Sequence, residues 1–177
     1  MRGMVLAGIL MAGMAQAGEL PPDPFASIDG GEIRLTDFAG RPVLIANTAS
    51  MCGFTPQYDG LQALQDTYAA QGLVVLAVPS DDFAQEYDSA AAVKEFCAVN
   101  FGLTLPMTDI TRVTGSEAHP VFRWIAEETG WSPRWNFNKV LIGRDGQVTG
   151  TWGSGADPMG PAIRGAVEAA LQGPAGG

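Results

Sequence analysis

Cys52 stands in the segment Asn47-Thr48-Ala49-Ser50-Met51-Cys52-Gly53-Phe54-Thr55-Pro56, between the apolar run Val43-Leu44-Ile45-Ala46 and a helix-like stretch. A thiol at a strand-to-helix junction faces the backbone N–H groups of a helix N-terminus, which favour thiolate over thiol and make the sulfur a nucleophile. The alternative in this local context is a small apolar core residue, because free cysteine is among the most buried residue types. A thiolate directed at a peroxide needs uncharged donors that orient the peroxide and take up charge on its leaving oxygen. It also needs something that reduces the sulfenic acid left behind. Gln85, after a second apolar run, and Trp135-Asn136, before a later strand, meet the first need. Trp only donates, whereas Asn and Gln donate and accept. The expected site therefore holds the Cys52 sulfur ionised and open to solvent beside Gln85, Trp135 and Asn136.

Those residues must be positioned by the elements around them. Val43–Ala46 and Leu73-Val74-Val75-Leu76-Ala77-Val78 are continuous apolar runs of the kind buried on both faces of a sheet. Between them Leu61, Leu64 and Tyr68 recur at helical spacing, which predicts a helix from about Pro56 to Ala70 with Thr55 as its cap. Strand, helix and strand form a βαβ unit whose crossover is right-handed. Further helices are predicted at about 88–100, with Val93, Phe96, Cys97 and Phe101 along one stripe, and at 116–127, with Pro120 in the first turn. A hairpin follows, Lys139–Ile142 and Gln147–Trp152 around Gly143-Arg144-Asp145-Gly146, and Asp157-Pro158 opens a last helix. Near the start, Gly30-Gly31 marks a short hairpin with Ile33-Arg34-Leu35 in a strand. The order predicts an α/β fold, a mixed sheet with helices on both faces.

With 177 residues and 46% hydrophobic content, the chain fits one domain with a full core. Arg2, the apolar stretch Met4–Met14 and Ala15-Gln16-Ala17 read as a signal peptide, residues 1–17, leaving a single domain at 18–177. The apolar run is well short of the roughly 20 residues a spanning helix needs. Export, most simply to a bacterial periplasm, places both cysteines where disulfides persist. Loss of Arg2 takes the formal charge from −9 to −10, which disfavours nucleic acid and anionic membranes as partners. His119, the only histidine, stands beside Pro120 at a helix start, where a structural hydrogen bond suits it better than a metal.

Taken together, these segments resemble the glutathione peroxidase family in its non-selenium form. The matching pieces are Asn47–Pro56, the loop from Pro79 to Gln85-Glu86, Lys94-Glu95-Phe96-Cys97, Ala118-His119-Pro120 and Arg134-Trp135-Asn136-Phe137-Asn138-Lys139, in the family's order across roughly 24–172. The resemblance implies a thioredoxin-like fold and cofactor-free reduction of hydrogen peroxide or organic hydroperoxides. It assigns Cys52 as the attacking residue, at the place of the selenocysteine of other members, with Gln85, Trp135 and Asn136 completing the group. It also implies that Cys97, 45 residues further on, resolves the sulfenic acid as an internal disulfide. A thioredoxin-like protein or a small thiol would then be the reductant. Two departures stand out. The loop Ser80–Ala84 is one residue short and lacks the glycine pair common before the glutamine, and Glu86-Tyr87-Asp88 replaces the usual Glu-Pro-Gly. The insertion of the tetrameric members is absent, which implies a monomer or weak dimer.

Other readings of the same residues are a peroxide-sensing relay that passes its disulfide to a partner protein, a disulfide oxidoreductase and a non-catalytic binding module. Thr55 stands where the oxidoreductase Cys-x-x-Cys would need its second cysteine. The joint presence of Cys52, Gln85, Trp135 and Asn136 argues against the binding module.

Overall fold

The computed structural model describes residues 19–174, so the expected signal peptide at 1–17 lies outside the described residues. Strands β1 (Phe25–Ala26) and β2 (Glu32–Ile33) pair antiparallel. Gly30 and Gly31, at φ +91° and +79°, make the turn between them, in a region closed to most L side chains. The expected strand through Leu35 is shorter than predicted. Leu35–Phe38 winds into a 3₁₀ turn that tucks Leu35 into the core.

The main sheet has the order β4-β3-β5-β6, built from β3 (Val43–Thr48), β4 (Val74–Pro79), β5 (Lys139–Ile142) and β6 (Val148–Trp152). β3 and β4 are parallel, with Val43 opposite Val74 and Thr48 opposite Pro79. The β3/β5 and β5/β6 pairs are antiparallel. Every residue of β3 and β4 is buried, as their unbroken apolar runs predict. Alternate side chains divide between two clusters. Leu44, Ala46, Val75, Ala77 and Leu141 pack with α1 (Gln57–Tyr68), α2 (Ala90–Phe101) and α4 (Pro161–Gln172). Val43, Ile45, Val74, Leu76, Val78, Val140 and Ile142 pack with α3 (Pro120–Thr129). Burial of each of the valine, leucine and isoleucine side chains contributes about 1.5–3 kcal/mol. Among the described residues no helix is long and apolar enough to cross a membrane.

Four helix starts fall later than predicted. The first begins at Gln57 behind Pro56, with no side-chain cap from Thr55, because the chain first closes two turns, Gln57 N–H to Phe54 O and Tyr58 N–H to Thr55 O. The second begins at Ala90, capped by the Ser89 hydroxyl, which accepts from Ala92 N–H at 3.3 Å. The third begins at Pro120 and the last at Pro161, each proline in the first helical turn, where its missing N–H costs nothing. Asp157 instead caps a turn, accepting from Met159 N–H at 2.9 Å.

Candidate active site

The sheet ends at the polar tip of β3, and the site is assembled there. Asn47 is buried and bonds to three residues of one distant segment. Its Nδ2 donates to Trp135 O (3.0 Å), its backbone carbonyl accepts from Phe137 N–H (2.6 Å), and its Oδ1 accepts from Asn138 N–H (3.1 Å). Asn138 in turn donates to the Ser154 hydroxyl (2.8 Å), which donates to Asn136 O (2.6 Å). Phe137 sits at φ +58°, unfavourable for a large side chain, and is held there by its own burial and these bonds. The result fixes Trp135 and Asn136 at the head of β5.

Gln85 arrives from the other side of β3. After β4 the loop is closed by Ala84 N–H to Asp81 O (2.9 Å) and Glu86 N–H to Asp81 Oδ1 (3.1 Å). The Asp82 carboxylate ties it to Val113 and Thr114 N–H. Ala84 takes φ +55°, the conformation that the glycine missing from this loop would adopt freely. The Gln85 carbonyl accepts from Met51 N–H (2.9 Å), and its Oε1 accepts from Asn136 Nδ2 (3.1 Å). Gln85 thus joins the residue before Cys52 to Asn136, bringing three separate stretches of chain together. With Oε1 engaged, its Nε2 is left as a donor.

Cys52 lies in the turns between β3 and α1, its carbonyl accepting from Thr55 N–H (3.1 Å). Two expectations are corrected here. The thiol is not open to solvent, since Cys52 is 4% exposed and packs in the cluster with Ala49, Tyr58 and Phe137. Met51 and Phe54 on either side turn outward instead. Nor does Cys52 stand at the first turn of α1. Four residues separate it from Gln57, and the first two helical N–H groups are taken by loop carbonyls.

Trp135 is 40% exposed and its ring packs against Phe83 at 5.5 Å. Asn136 is fully buried, and its Oδ1 has no protein partner. Cys97 is on α2, buried, a free thiol in the same apolar cluster as Cys52, and burial pushes it up to about 11. His119 has the structural role expected of it. It accepts from Val121 N–H through Nδ1 (3.3 Å), which leaves the proton on Nε2 for Pro24 O (3.0 Å), and it stacks on Phe25 at 3.8 Å. Burial lowers its proton affinity, consistent with the neutral ring.

Several positioning residues had no assigned role in the sequence reading. Asn47 and Asn138 form the scaffold just described. Lys139 is fully buried, donates to Gln57 Oε1 and to Ala156 O (2.7 Å), and burial pulls it down to about 8 against the opposing pull of Asp157. Gln57 Nε2 donates to Ser154 O (2.6 Å), so Lys139 locks the start of α1 to the loop supporting Asn136. Glu86 is buried at 3% exposure, its Oε1 accepting from Ser50 N–H (3.0 Å) and Tyr87 N–H (2.9 Å). The signal available was a polar residue at the end of an otherwise apolar strand, which must find a partner when buried.

A parallel βαβ unit followed by an antiparallel hairpin, with helices on both faces, is the thioredoxin-like arrangement. It is shared at TM-score 0.63 by the thioredoxin-family thiol:disulfide interchange protein of Chlorobium tepidum, 18% identical over 89% of this chain and 99% of that one. The crystal structure of Trgpx in apo form is more alike in sequence, at TM-score 0.69 and 30% identity over 87% of this chain and 96% of that one. The family profile described as glutathione peroxidase matches residues 24–126. The hydroperoxy fatty acid reductase gpx1 of Synechocystis sp. is 40% identical over 146 residues, 75% of this chain and 85% of the relative. The chain belongs to the glutathione peroxidase family, and it is a peroxidase.

Proposed function

We propose that this protein is a thiol peroxidase acting on hydrogen peroxide or organic hydroperoxides through Cys52. The Cys52 thiolate attacks the terminal peroxide oxygen, the O–O bond breaks, water or an alcohol leaves, and Cys52 becomes a sulfenic acid. Gln85, Trp135 and Asn136 donate to the thiolate and to the departing oxygen without adding charge. The observation that carries this reading is the link from Asn136 Nδ2 to Gln85 Oε1 and from Met51 N–H to Gln85 O, which brings Gln85 and Asn136 to the thiol turn. With Cys52 only 4% exposed, the group that reacts must be the small –OOH end of the substrate. The Synechocystis relative is named for hydroperoxy fatty acids, whose reacting end is the same –OOH group.

Cys97 then attacks the sulfenic sulfur, releasing water and closing an internal disulfide, and an external dithiol restores both thiols. A thioredoxin-like protein in the periplasm supplies that dithiol, following export on the residue 1–17 signal. In α2 only Val93 and Cys97 are fully buried, with Phe96 and Phe101 half-buried on the same cluster, so local opening of the helix costs less than that of a fully buried one and lets the Cys97 sulfur approach. The test is intact-mass analysis after one equivalent of peroxide. The native protein should lose two hydrogens and the Cys52→Ser variant should stay unchanged. Oxidation of the variant at the native rate would reject Cys52 as the attacking group. Stable Cys52 sulfenic acid with no disulfide in the native protein would reject Cys97 as its resolving partner.

A further inference from the structure

The buried side-chain oxygens without a hydrogen-bond partner among the described residues gather at one end of the sheet. They are Thr48 Oγ1, Ser50 Oγ, Tyr58 Oη, Glu86 Oε2 and Asn136 Oδ1. Buried polar groups are nearly always paired, so a concentration of unpaired ones calls for a chemical account. Asn136 belongs to the amide group already described. The other four belong to the segments on either side of the Cys52 turn and to the Gln85–Glu86 loop bonded to it. Ser50 is two residues before Cys52, and its N–H is held by Glu86 Oε1. Tyr58, fully buried on α1, shares the apolar cluster with Cys97 and its ring meets Phe101 of α2 at 5.1 Å. Tyr87, the residue after Glu86, meets Phe96, the residue before Cys97, at 5.7 Å, which sets Glu86 against the Cys97 part of α2, where its charge is felt by both Tyr58 and Cys97.

We infer that Glu86 is the proton acceptor for the Cys97 thiol when that sulfur closes the disulfide with oxidised Cys52. The inference rests on the resolving role proposed for Cys97. A buried thiol is inert until it loses its proton, and closure needs a base inside the apolar cluster. Glu86 has one oxygen fixed by two N–H groups and the other free. Burial raises its proton affinity, against the pull of the Ser50 hydroxyl and of the Tyr87 and Ser50 N–H groups, with Asp81 adding a little to the rise. A carboxylate so placed is a better base than one in water. The atoms balance. The Cys97 proton passes to Glu86 Oε2, and the Cys97 sulfur supplies the electron pair of the new S–S bond. The S–O bond of the Cys52 sulfenic acid breaks, and the hydroxide takes the proton back from Glu86 and leaves as water. The Tyr58 hydroxyl turns to the sulfur as its charge develops and steadies it.

The groups facing Glu86 from the elements around it are Ser50, Tyr58, Asp81 and Cys97. The test uses the full chain and two rates. Sulfenic acid formation is followed by dimedone adduct mass in a Cys97→Ser background. Disulfide closure is followed by rapid alkylation and intact mass in the native background. Glu86→Gln keeps an oxygen for the Ser50 and Tyr87 N–H groups but cannot take a proton. It should slow closure about 100-fold more than it slows sulfenic acid formation. The residual closure should rise with pH as hydroxide replaces the lost base, and Glu86→Asp should recover part of the rate. Tyr58→Phe, which removes one oxygen from the same cluster, should also slow closure selectively. Equal losses in both rates would mean that Glu86 only holds the Cys52 turn, and unchanged closure in Glu86→Gln and Tyr58→Phe would remove the cluster from the reaction. Either result overturns the inference. If the native chain forms sulfenic acid but no disulfide, the resolving role itself has failed, and the inference falls with it.

Discussion

The two cysteines occupy the same apolar cluster, yet the chain treats their surroundings in opposite ways. Around Cys52 the backbone is tied by bonds from Gln85, Asn47, Asn138 and Glu86, drawn from segments up to 91 residues apart. Around Cys97 the helix α2 contributes two fully buried side chains and a single cap, Ser89. A group that meets substrate gains from donors already in place, because they cost no reorganisation as charge develops. A group that must travel gains from an element that opens at little cost. The pinned frame and the lightly held helix are therefore the two halves of one peroxidase cycle in the mechanism proposed above.

The largest expected effect tests the pinned half. Asn136→Ala removes the donor to Gln85 Oε1 and frees the half-buried Gln85 side chain to turn toward water. Peroxide turnover should fall about 100-fold, with sulfenic acid formation as the step that slows. Equal rates in the variant and the native protein would show that the amide pair is architectural. A second test addresses the buried cation of that frame. Lys139 binds its proton more weakly in the folded chain, at about 8, than in the unfolded chain near 10.4, so the unfolded state holds the extra proton between those values. Its penalty is complete below pH 8 and disappears as pH rises toward 10.4. Relative to Lys139→Met, the native chain should gain roughly 3 kcal/mol in urea unfolding across that window. A flat difference would mean that Lys139 stays charged throughout.

A smaller effect tests the mobile half. Ser89→Ala removes the cap of α2, at a cost of about 1 kcal/mol, and should raise the opening of the helix by about five-fold. If opening limits disulfide closure, closure after peroxide should accelerate by the same factor while Cys52 oxidation is unaffected. Slower closure would show that Cys97 reacts from the intact helix.

How much of this was legible follows from the range of the interactions. β3 and β4 were readable because burial on both faces leaves an unbroken apolar run, and the hairpin β5–β6 because its turn residues are local. The helix starts were set too early because Thr55, Asp88, Ser116 and Asp157 carry the right composition, whereas the chain spends them in turns and leaves the first helical turn to Pro120 and Pro161 or the cap to Ser89. Gln85, Trp135 and Asn136 were legible as residue types with donors. That Asn47 and Asn138 would hold them, that Glu86 would be buried and that Cys52 would be covered depend on pairings dozens of residues apart, which no local pattern records.

The smallest expected effect asks whether the pinned frame stores strain that it needs. The two non-glycine residues with positive φ among the described residues, Ala84 and Phe137, each adjoin one member of the bonded pair, Gln85 and Asn136. Phe137 cannot be tested cleanly, because removing its fully buried ring would leave a cavity. Ala84 is exposed, so Ala84→Gly deletes a methyl group that packs against little and releases the left-handed strain. Folding stability should rise by about 0.5–1 kcal/mol, the strain released outweighing the greater freedom of glycine in the unfolded chain. Turnover should hold, because Gln85 is fixed by Met51 N–H and Asn136 rather than by the residue before it. A gain in stability accompanied by a fall in turnover would break that argument and make the strained alanine part of how this short loop aims its glutamine.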